Sequence, residues 1–442
     1  MQQDLTHGSV TKSMLLFAGP MILGNLLQQF YNVADTLIVG QFLGKGALAA
    51  VGSSFSLMTF LTSILLGVCM GSGVVFSMLF GARREDDLKN SIFISFVLTG
   101  IMAVLIEVLV LYFTNPVLRM LQIPASILEE TRTYLCIIFY GIIFTFLYNF
   151  FASLLRSIGN SVVPLVFLAV STVMNIILDL LFIVTFKMGV AGAAWATVLA
   201  QGTSALCMIF YCLKSVPIVR LNRKHMHFTS RAVRQITQYS LLTCAQQSIM
   251  NFGILLVQGL VNSFGVSVMA AFAAAVKIDS FAYMPVQDFG NAFSTFIAQN
   301  HGAGKKERIR KGIFAAGAAS MLFCVFISIV VCLFASRLML IFVQPNETEI
   351  IAIGTRYLRI EGACYCGIGC LFLLYGLYRG MGRPGISVIL TVISLGTRVC
   401  LAYLLAPIPS IGLEGIWWAI PIGWILADIT GIFYARRFNL QK

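Results

Sequence analysis

Long apolar segments recur almost without pause along this chain, and they constrain its fold more than any other feature. A helix needs about 20 apolar residues to cross a hydrocarbon layer of about 30 Å. Twelve segments of the 442 residues reach that length. They lie near residues 13–39, 47–80, 90–113, 131–154, 161–186, 190–213, 233–262, 268–298, 310–335, 352–378, 385–407 and 413–435. The sequence therefore predicts an all-α integral membrane protein with twelve transmembrane helices.

Composition excludes the main alternatives to that fold. The chain is 59% hydrophobic and 11% charged, whereas an average soluble domain is about 25% charged. The strands of a membrane β-barrel alternate apolar and polar residues over about ten positions, but these segments are apolar on all sides. The first segment is long and contains Asn25, Gln28 and Asn32, so it is interpreted as a retained helix and not as a signal peptide.

The basic residues predict the orientation of the chain. The net charge is +13, but Lys and Arg occupy short loops between the spans, so no nucleic-acid surface is predicted. With the N-terminus inside, the even-numbered loops and both tails hold 21 Lys and Arg, and the opposite side holds seven. Positive charge accumulates on the cytoplasmic side of membrane proteins. Both termini are therefore expected in the cytoplasm.

Groups that would serve an enzyme are scarce in the spans. The four histidines, His7, His225, His227 and His301, all lie at tails or loops. The eleven cysteines fall mostly within spans, where they act as small apolar residues. The sequence contains neither a nucleotide-binding loop nor the usual zinc spacings. These observations predict a protein that is not an enzyme and has no cofactor.

An internal repeat divides the chain into two similar halves. A basic linker, residues 214–232, separates six spans in residues 1–213 from six in residues 233–442. Offsets of 221 and then 223 residues superpose Gly44 on Gly265, Gly81 on Gly302, Tyr134 on Tyr357, Arg156 on Arg379, Gly159 on Gly382 and Trp195 on Trp418. Halves with an even number of spans enter the membrane in the same direction. The prediction is two parallel repeats related by a pseudo-twofold axis along the membrane normal.

Polar residues inside the spans form two groups in the first half. Gln28, Asn32 and Asp35 follow helical spacing and share one stripe of the first helix. Asn175 and Asp179 lie four residues apart, so their side chains are neighbours on the fifth helix. A charge at the centre of a bilayer costs about 2.5–3.5 kcal/mol, so these acids must face protein, water or an ion. A hydrogen-bonded seam and an ion site both remain open from the residues alone.

The second half does not repeat these acids. Its polar residues within or near the spans are Lys277, Asp279, Asp288, Glu361 and Arg398, a mixture of charges that favours structural pairing over substrate contact. The offsets align Asp35 with Leu256, Asn175 with Arg398 and Asp179 with Ala402. Any cation site of the first half is therefore predicted to be missing from the second.

Several motifs resemble one family of transporters. They are Gly19-Pro20, Gln28 to Thr36, Leu43-Gly44, Ala47 to Gly52, Gly81-Ala82-Arg83, Arg156 to Asn160, Asn175 with Asp179, and Arg379 to Gly382. Together with the two six-helix halves, they make the whole chain similar to the multidrug and toxic compound extrusion (MATE) transporters. A departure is that another branch of that family carries ion-binding acids on helices 7 and 10. Helix 7 of this chain has no acid, and Glu361 does not align with that position.

The resemblance implies a V-shaped pair of helix bundles in the bacterial inner membrane. It further implies export of small organic compounds, often cationic, in exchange for H⁺ or Na⁺, with neither ion favoured. Asp35, Asn175 and Asp179 match the family's cation site, where Na⁺ is one expected ligand. Gln28, Asn32, Asp288 and Arg398 are expected to line the substrate path or to pair within a lobe. Membrane lipids are expected to surround a monomer, and a lipid-linked-sugar flippase of the same superfamily is the alternative function.

Overall fold

A computed structural model describes residues 3–120 and 127–437, and this part of the chain is helical without any strand. The first half contains α1 (Val10–Gly44), α2 (Gly46–Gly81), α3 (Glu85–Tyr112), α4 (Thr114–Met120), α5 (Leu128–Tyr140), α6 (Ile142–Ser157), α7 (Val162–Asp179) and α8 (Val190–Ser215). The second half contains α9 (Ser230–Asn262), α10 (Val266–Gly302), α11 (Lys306–Met339), α12 (Thr348–Ala363), α13 (Tyr365–Gly380), α14 (Pro384–Leu405) and α15 (Leu413–Arg437). Residues 438–442 of the predicted cytoplasmic tail lie outside the described residues.

Ten of these helices are long and apolar enough to span a membrane, and two bent pairs bring the number to twelve. The pair α5 and α6 is bent by 44° at Gly141, and the pair α12 and α13 is bent by 53° at Cys364. The count of twelve spans is therefore confirmed. The prediction of continuous helices over 131–154 and 352–378 is wrong, because apolar length does not reveal a break between two equally apolar halves.

The internal repeat is visible in the backbone as well as in the sequence. Residues in the left-handed region, where glycine is favoured because it lacks a Cβ, occur at matching positions of the two halves. The matched φ angles are 83° and 99° at Gly44 and Gly265, 56° and 68° at Arg83 and Gly304, 86° and 80° at Gly159 and Gly382, and 63° and 51° at Gly189 and Gly412. The same tight turns therefore recur at the predicted offsets.

The chain divides into two compact units. Unit 1 contains the chain up to Asp4 and Gly19–Cys244, and unit 2 contains Leu5–Ala18 and the chain from Ala245 onward. Consequently α1 passes from unit 2 to unit 1 between Ala18 and Gly19, and α9 passes from unit 1 to unit 2 after Cys244. The predicted lobes, 1–213 and 233–442, remain a prediction about which parts of the protein move.

In unit 1, α2 and the first part of α9 are in backbone contact. A Cβ atom added to Gly67 would lie 2.6 Å from the Cα of Cys244, and one on Gly71 would lie 2.6 Å from the Cα of Ser240. The hydroxyls of Ser72 and Ser240 are 2.9 Å apart across the same contact. Small residues four apart permit this approach in membrane helices. The absence of side chains at Gly67 and Gly71 therefore allows the backbones of α2 and α9 to pack in direct contact.

The basic linker is attached to α3 within unit 1. Asn90 donates from Nδ2 to the carbonyls of His225 at 3.0 Å and His227 at 2.7 Å. Asp86 accepts from the Lys224 ammonium at 3.1 Å and lies 3.0 Å from the ring Nε2 of His225. The predicted linker thus has an ordered path across the end of α3.

The segment before α1 is bound to unit 2. Arg308 on α11 donates to the carbonyls of Leu5, His7 and Gly8, and Lys305 donates to the carbonyl of Thr6 at 2.8 Å. Leu5 is completely buried. These bonds anchor the start of the Leu5–Ala18 segment to unit 2, although α1, which begins at Val10, continues into unit 1.

Candidate functional site

Two buried carboxyl groups meet inside unit 1. Asp35 lies on α1, and Asp179 is the last residue of α7, with relative exposures of 8% and 0%. The two carboxyl groups lie within hydrogen-bonding reach of each other. Two ionised carboxylates at that separation repel strongly in a buried site. The pair must therefore share a proton or hold a cation.

The helical backbone changes geometry at Asp179. The helix changes there from α to a π-helical turn over Leu180–Thr185, and such turns are frequent at functional sites. The predicted span over 161–186 is thus one helical span, Val162–Thr185, whose backbone widens from α to π geometry directly after the acid.

Asn175 and Thr197 complete the polar wall around Asp179. The amide orientation of Asn175 that satisfies its neighbours donates from Nδ2 to Asp179 Oδ2 at 2.9 Å and accepts from Thr197 N at 3.2 Å. The hydroxyl of Thr197, on α8, is 3.2 Å from the hydroxyl of Tyr31. Tyr31 lies one turn before Asp35 on α1. The structure thus brings together all three predicted ion-coupling residues and adds Thr197 and Tyr31.

One oxygen of each acid has no partner in the described part of the chain. Asp35 Oδ1 and Asp179 Oδ1 are buried and accept no hydrogen bond there. Buried polar atoms are nearly always satisfied, so an orphaned oxygen indicates a proton, ion or water. Two carboxylates, the Asn175 amide and the Thr197 hydroxyl form an all-oxygen and amide set that suits a small hard cation or a proton.

The substrate-path residues predicted on α1 are not part of this site. Gln28 and Asn32 are half-buried, and among the described residues neither side chain is hydrogen-bonded to the acid pair. The main-chain carbonyl of Asn32 accepts from the Thr36 hydroxyl at 2.7 Å. Their role along a substrate path remains a prediction. Thr197 and Tyr31 were missed by the sequence reasoning, although the spacing of Tyr31 from Asp35 was a usable signal.

Unit 2 contains its own buried acidic cluster. Tyr365 donates from its hydroxyl to Asp279 Oδ1 at 2.6 Å, and Glu361 lies within hydrogen-bonding reach of Asp279. Tyr357 is hydrogen-bonded to Glu361, and the charge of Arg398 acts on both acids. The sequence placed Asp279, Glu361 and Arg398 in the second half but did not bring them together.

Three further polar residues of unit 2 lie apart from that cluster. Asp288 is buried further along α10, and Lys277 is exposed with its ammonium 6.0 Å from the centre of the Phe342 ring. Asp428 on α15, which sequence reasoning did not single out, is buried beside the thiol of Cys370. Asp288 belongs to unit 2, and its place on a substrate path remains a prediction.

Comparison with known proteins decides the family. The family model named MatE matches residues 20–181 and 243–404, two segments that begin at the 223-residue offset of the internal repeat. The chain belongs to the MatE family. Both halves match the same model, which confirms the repeat independently of the identities that suggested it. Each half of this MatE protein therefore carries one copy of the family's repeat.

Relatives and solved structures resemble the MatE protein over nearly its whole length. It is 30% identical to the "Probable multidrug resistance protein YpnP" of Bacillus subtilis (strain 168), over 99% of this chain and 98% of that protein. It is 24% identical to the "Multidrug export protein MepA" of Staphylococcus saprophyticus, over 98% and 95% of the two chains. A MOP superfamily transporter from Pyrococcus furiosus Vc1 has a TM-score of 0.93 at 23% identity, covering 99% of this chain and 98% of that one. The fold of this MatE protein is thus that of a twelve-helix transporter.

Proposed function

We propose that this MatE protein is a secondary active exporter that exchanges small organic compounds, often cationic, for H⁺ or Na⁺. The observation that carries the proposal is the contact between Asp35 and Asp179, each with an unpartnered buried oxygen. A pair left short of positive charge suits a site that binds and releases a cation.

The acid pair supplies the coupling step. With a proton or Na⁺ bound between them, Asp35 and Asp179 lose their mutual repulsion, and Asn175, which accepts a hydrogen bond from the Thr197 backbone, donates to Asp179 and holds it in place. When the cation leaves, repulsion between the carboxylates returns. Because Asp35 lies on α1, this repulsion acts directly on the helix that passes from one compact unit to the other. Exchange of the cation thus favours different positions of α1.

The charges of the loops support the proposed orientation of the exporter, and the resemblance to MATE transporters supports the rest of its proposed setting. It lies in the bacterial inner membrane as a lipid-surrounded monomer, with both termini and the linker 214–232 in the cytoplasm. Parallel lobes, 1–213 and 233–442, move around the substrate. The relatives' names as multidrug export proteins support organic substrates, and the polar residues Gln28, Asn32 and Asp288 are assigned to the substrate path.

Expression in cells that lack their own exporters tests the transport activity. Cells that make this protein are expected to accumulate less ethidium than cells with the empty vector, because the exporter uses the inward ion gradient. An ionophore that collapses both proton and sodium gradients should abolish the difference. Ethidium accumulation that is unchanged by expression, together with altered exposure of lipid-linked sugars, would instead favour the flippase.

Labelling of single cysteines tests the orientation. Arg223 in the linker and Lys187 between α7 and α8 are both exposed. In a cysteine-free background, an impermeant thiol reagent added to intact cells is expected to label Lys187→Cys and to leave Arg223→Cys unlabelled. Permeabilised cells, in which both variants should react, provide the control. Labelling of Arg223→Cys from outside would reverse the orientation.

A further inference from the structure

The acidic cluster of unit 2 resembles the proposed ion site of unit 1, because each contains two buried carboxyl groups. The cluster of unit 2 also contains the positive charge of Arg398. Asp279 and Glu361 are within hydrogen-bonding reach, as Asp35 and Asp179 are in unit 1. Glu361 is 1% exposed, and its Oε1 has no hydrogen-bond partner in the described residues. A buried, unpartnered carboxyl oxygen indicates a place where a proton or cation could bind.

The internal repeat aligns residues that surround the two acid pairs. The 223-residue offset aligns Tyr134 with Tyr357 and Asn175 with Arg398. Tyr134 is a buried neighbour of the acid pair in unit 1, and Tyr357 is hydrogen-bonded to Glu361 in unit 2. The acids themselves come from different helices in the two units. Unit 2 therefore has an acid pair where unit 1 binds its cation, but with an arginine in place of the asparagine.

The charges around the two pairs differ by that arginine. In unit 1 no described Lys or Arg side chain acts on Asp35 or Asp179. In unit 2 the charge of Arg398 acts on both Asp279 and Glu361. Two carboxyl groups that share one proton carry a net charge of minus one, which Arg398 neutralises. The same pair without an arginine still attracts a cation.

Packing also differs between the equivalent positions. The rings of Phe272 and Trp417 stack with centroids 5.4 Å apart, and Tyr357 meets Trp417 edge-on at 4.8 Å. The repeat aligns Phe272 with Val51 and Trp417 with Ala194, so unit 1 has smaller residues at both positions. Unit 2 therefore fills with aromatic side chains a volume that unit 1 leaves to smaller ones.

We propose that Arg398 acts as a built-in cation that keeps the acid pair of unit 2 from binding the coupling ion, so that unit 1 alone binds it. The inference rests on the proposed function, because it concerns the ion that drives export. Arg398 is a specificity-determining residue in this account, since it sets how many ions bind. A unit charge several ångströms away in an effective dielectric of about 20 weakens cation binding by roughly tenfold to a hundredfold.

Replacing Arg398 by the residue of unit 1 tests the proposal. Arg398→Asn is expected to bind a second cation, with an affinity at the new site raised roughly tenfold to a hundredfold. The number of Na⁺ ions bound per protein is measured on purified protein by equilibrium dialysis with radioactive Na⁺ at alkaline pH. Proton uptake on acidification, followed with a soluble pH indicator, counts protons in the same samples. Arg398→Lys keeps the charge and should bind no second cation.

Matched variants separate this inference from the proposed function. Arg359→Asn removes an exposed charge of the same unit and should leave the count unchanged. The double variant Asp35→Asn with Arg398→Asn should lose the cation of unit 1 and keep the new one. If the single variant Asp35→Asn still binds the wild-type cation, the proposed function is contradicted. The gain of a second bound cation in Arg398→Asn tests only the inference.

Two results would overturn the inference. One is a folded Arg398→Asn protein, with an unchanged melting temperature, that binds no cation beyond the wild-type number. The other needs no change at Arg398. Because unit 2 is closed to the ion in the wild type, Glu361→Gln should leave the bound-cation count and affinity unchanged, and loss of a cation in that variant would show that unit 2 already binds one.

Discussion

Asp35→Asn is expected to reduce ethidium efflux to the level of cells without the transporter. The substitution removes a charge with little change in volume, so the protein should still insert and fold. An asparagine at position 35 would donate a hydrogen bond to Asp179 in place of the shared cation, and the repulsion that follows ion release would be lost. Asp179→Asn is expected to have the same effect, because the two carboxyl groups act as one site.

Asp288→Asn is the matched control for this prediction. Asp288 is also a buried aspartate within a span, but it belongs to unit 2, whereas the acid pair belongs to unit 1. Its neutralisation should leave the affinity for the coupling ion nearly intact, even if substrate transport changes. Loss of ion binding in a folded Asp288→Asn protein, with ion binding retained in Asp35→Asn, would show that the ion site lies in unit 2 and not in unit 1.

Gly71→Val is expected to cause the largest loss of stability of any single substitution considered. The added side chain would meet the backbone of α9 at Ser240, only 2.6 Å from the position of a new Cβ. Backbone cannot rotate away as a side chain can, so a cost of about 3 kcal/mol or more is expected, at the upper end for overpacking. Fluorescence-detected gel filtration after heating should show the loss of folded protein at a lower temperature.

Gly52→Val supplies the control for that comparison. Gly52 lies on the same helix, and an added Cβ there has no atom within 4 Å. Both substitutions place the same β-branched residue in α2, so their effects on helix propensity cancel. Equal melting temperatures for the two variants would show that the contact between α2 and α9 contributes little to stability.

The number of spans and the repeat were accessible from the sequence because each leaves a direct signature. Apolar length determined the twelve spans, and glycines such as Gly44 and Gly265 marked equivalent turns in the two halves. The breaks at Gly141 and Cys364 left no such signature, since the flanking segments are equally apolar. The assignment of Leu5–Ala18 to unit 2 depends on hydrogen bonds across some 300 residues of sequence, which no local pattern encodes.

The candidate site was predictable to the extent that its residues share a helix. Asn175 and Asp179 are one turn apart, and the resemblance to MATE transporters linked them with Asp35. Thr197 reaches the site from α8 through tertiary packing, and a threonine in an apolar span is not distinctive. The charges of the second half predicted pairing but not the specific contact between Asp279 and Glu361, because α11 separates the two residues in sequence.

Transport in reconstituted vesicles under separately imposed gradients tests the central claim most directly. Ethidium movement is measured with a proton gradient alone, a Na⁺ gradient alone and neither, for the wild type and for Asp35→Asn. The account predicts that one of the two gradients drives uphill ethidium transport by the wild type and that neither drives it in the variant. Wild-type transport that needs neither gradient, or an Asp35→Asn protein that transports normally under the driving gradient, would contradict the account.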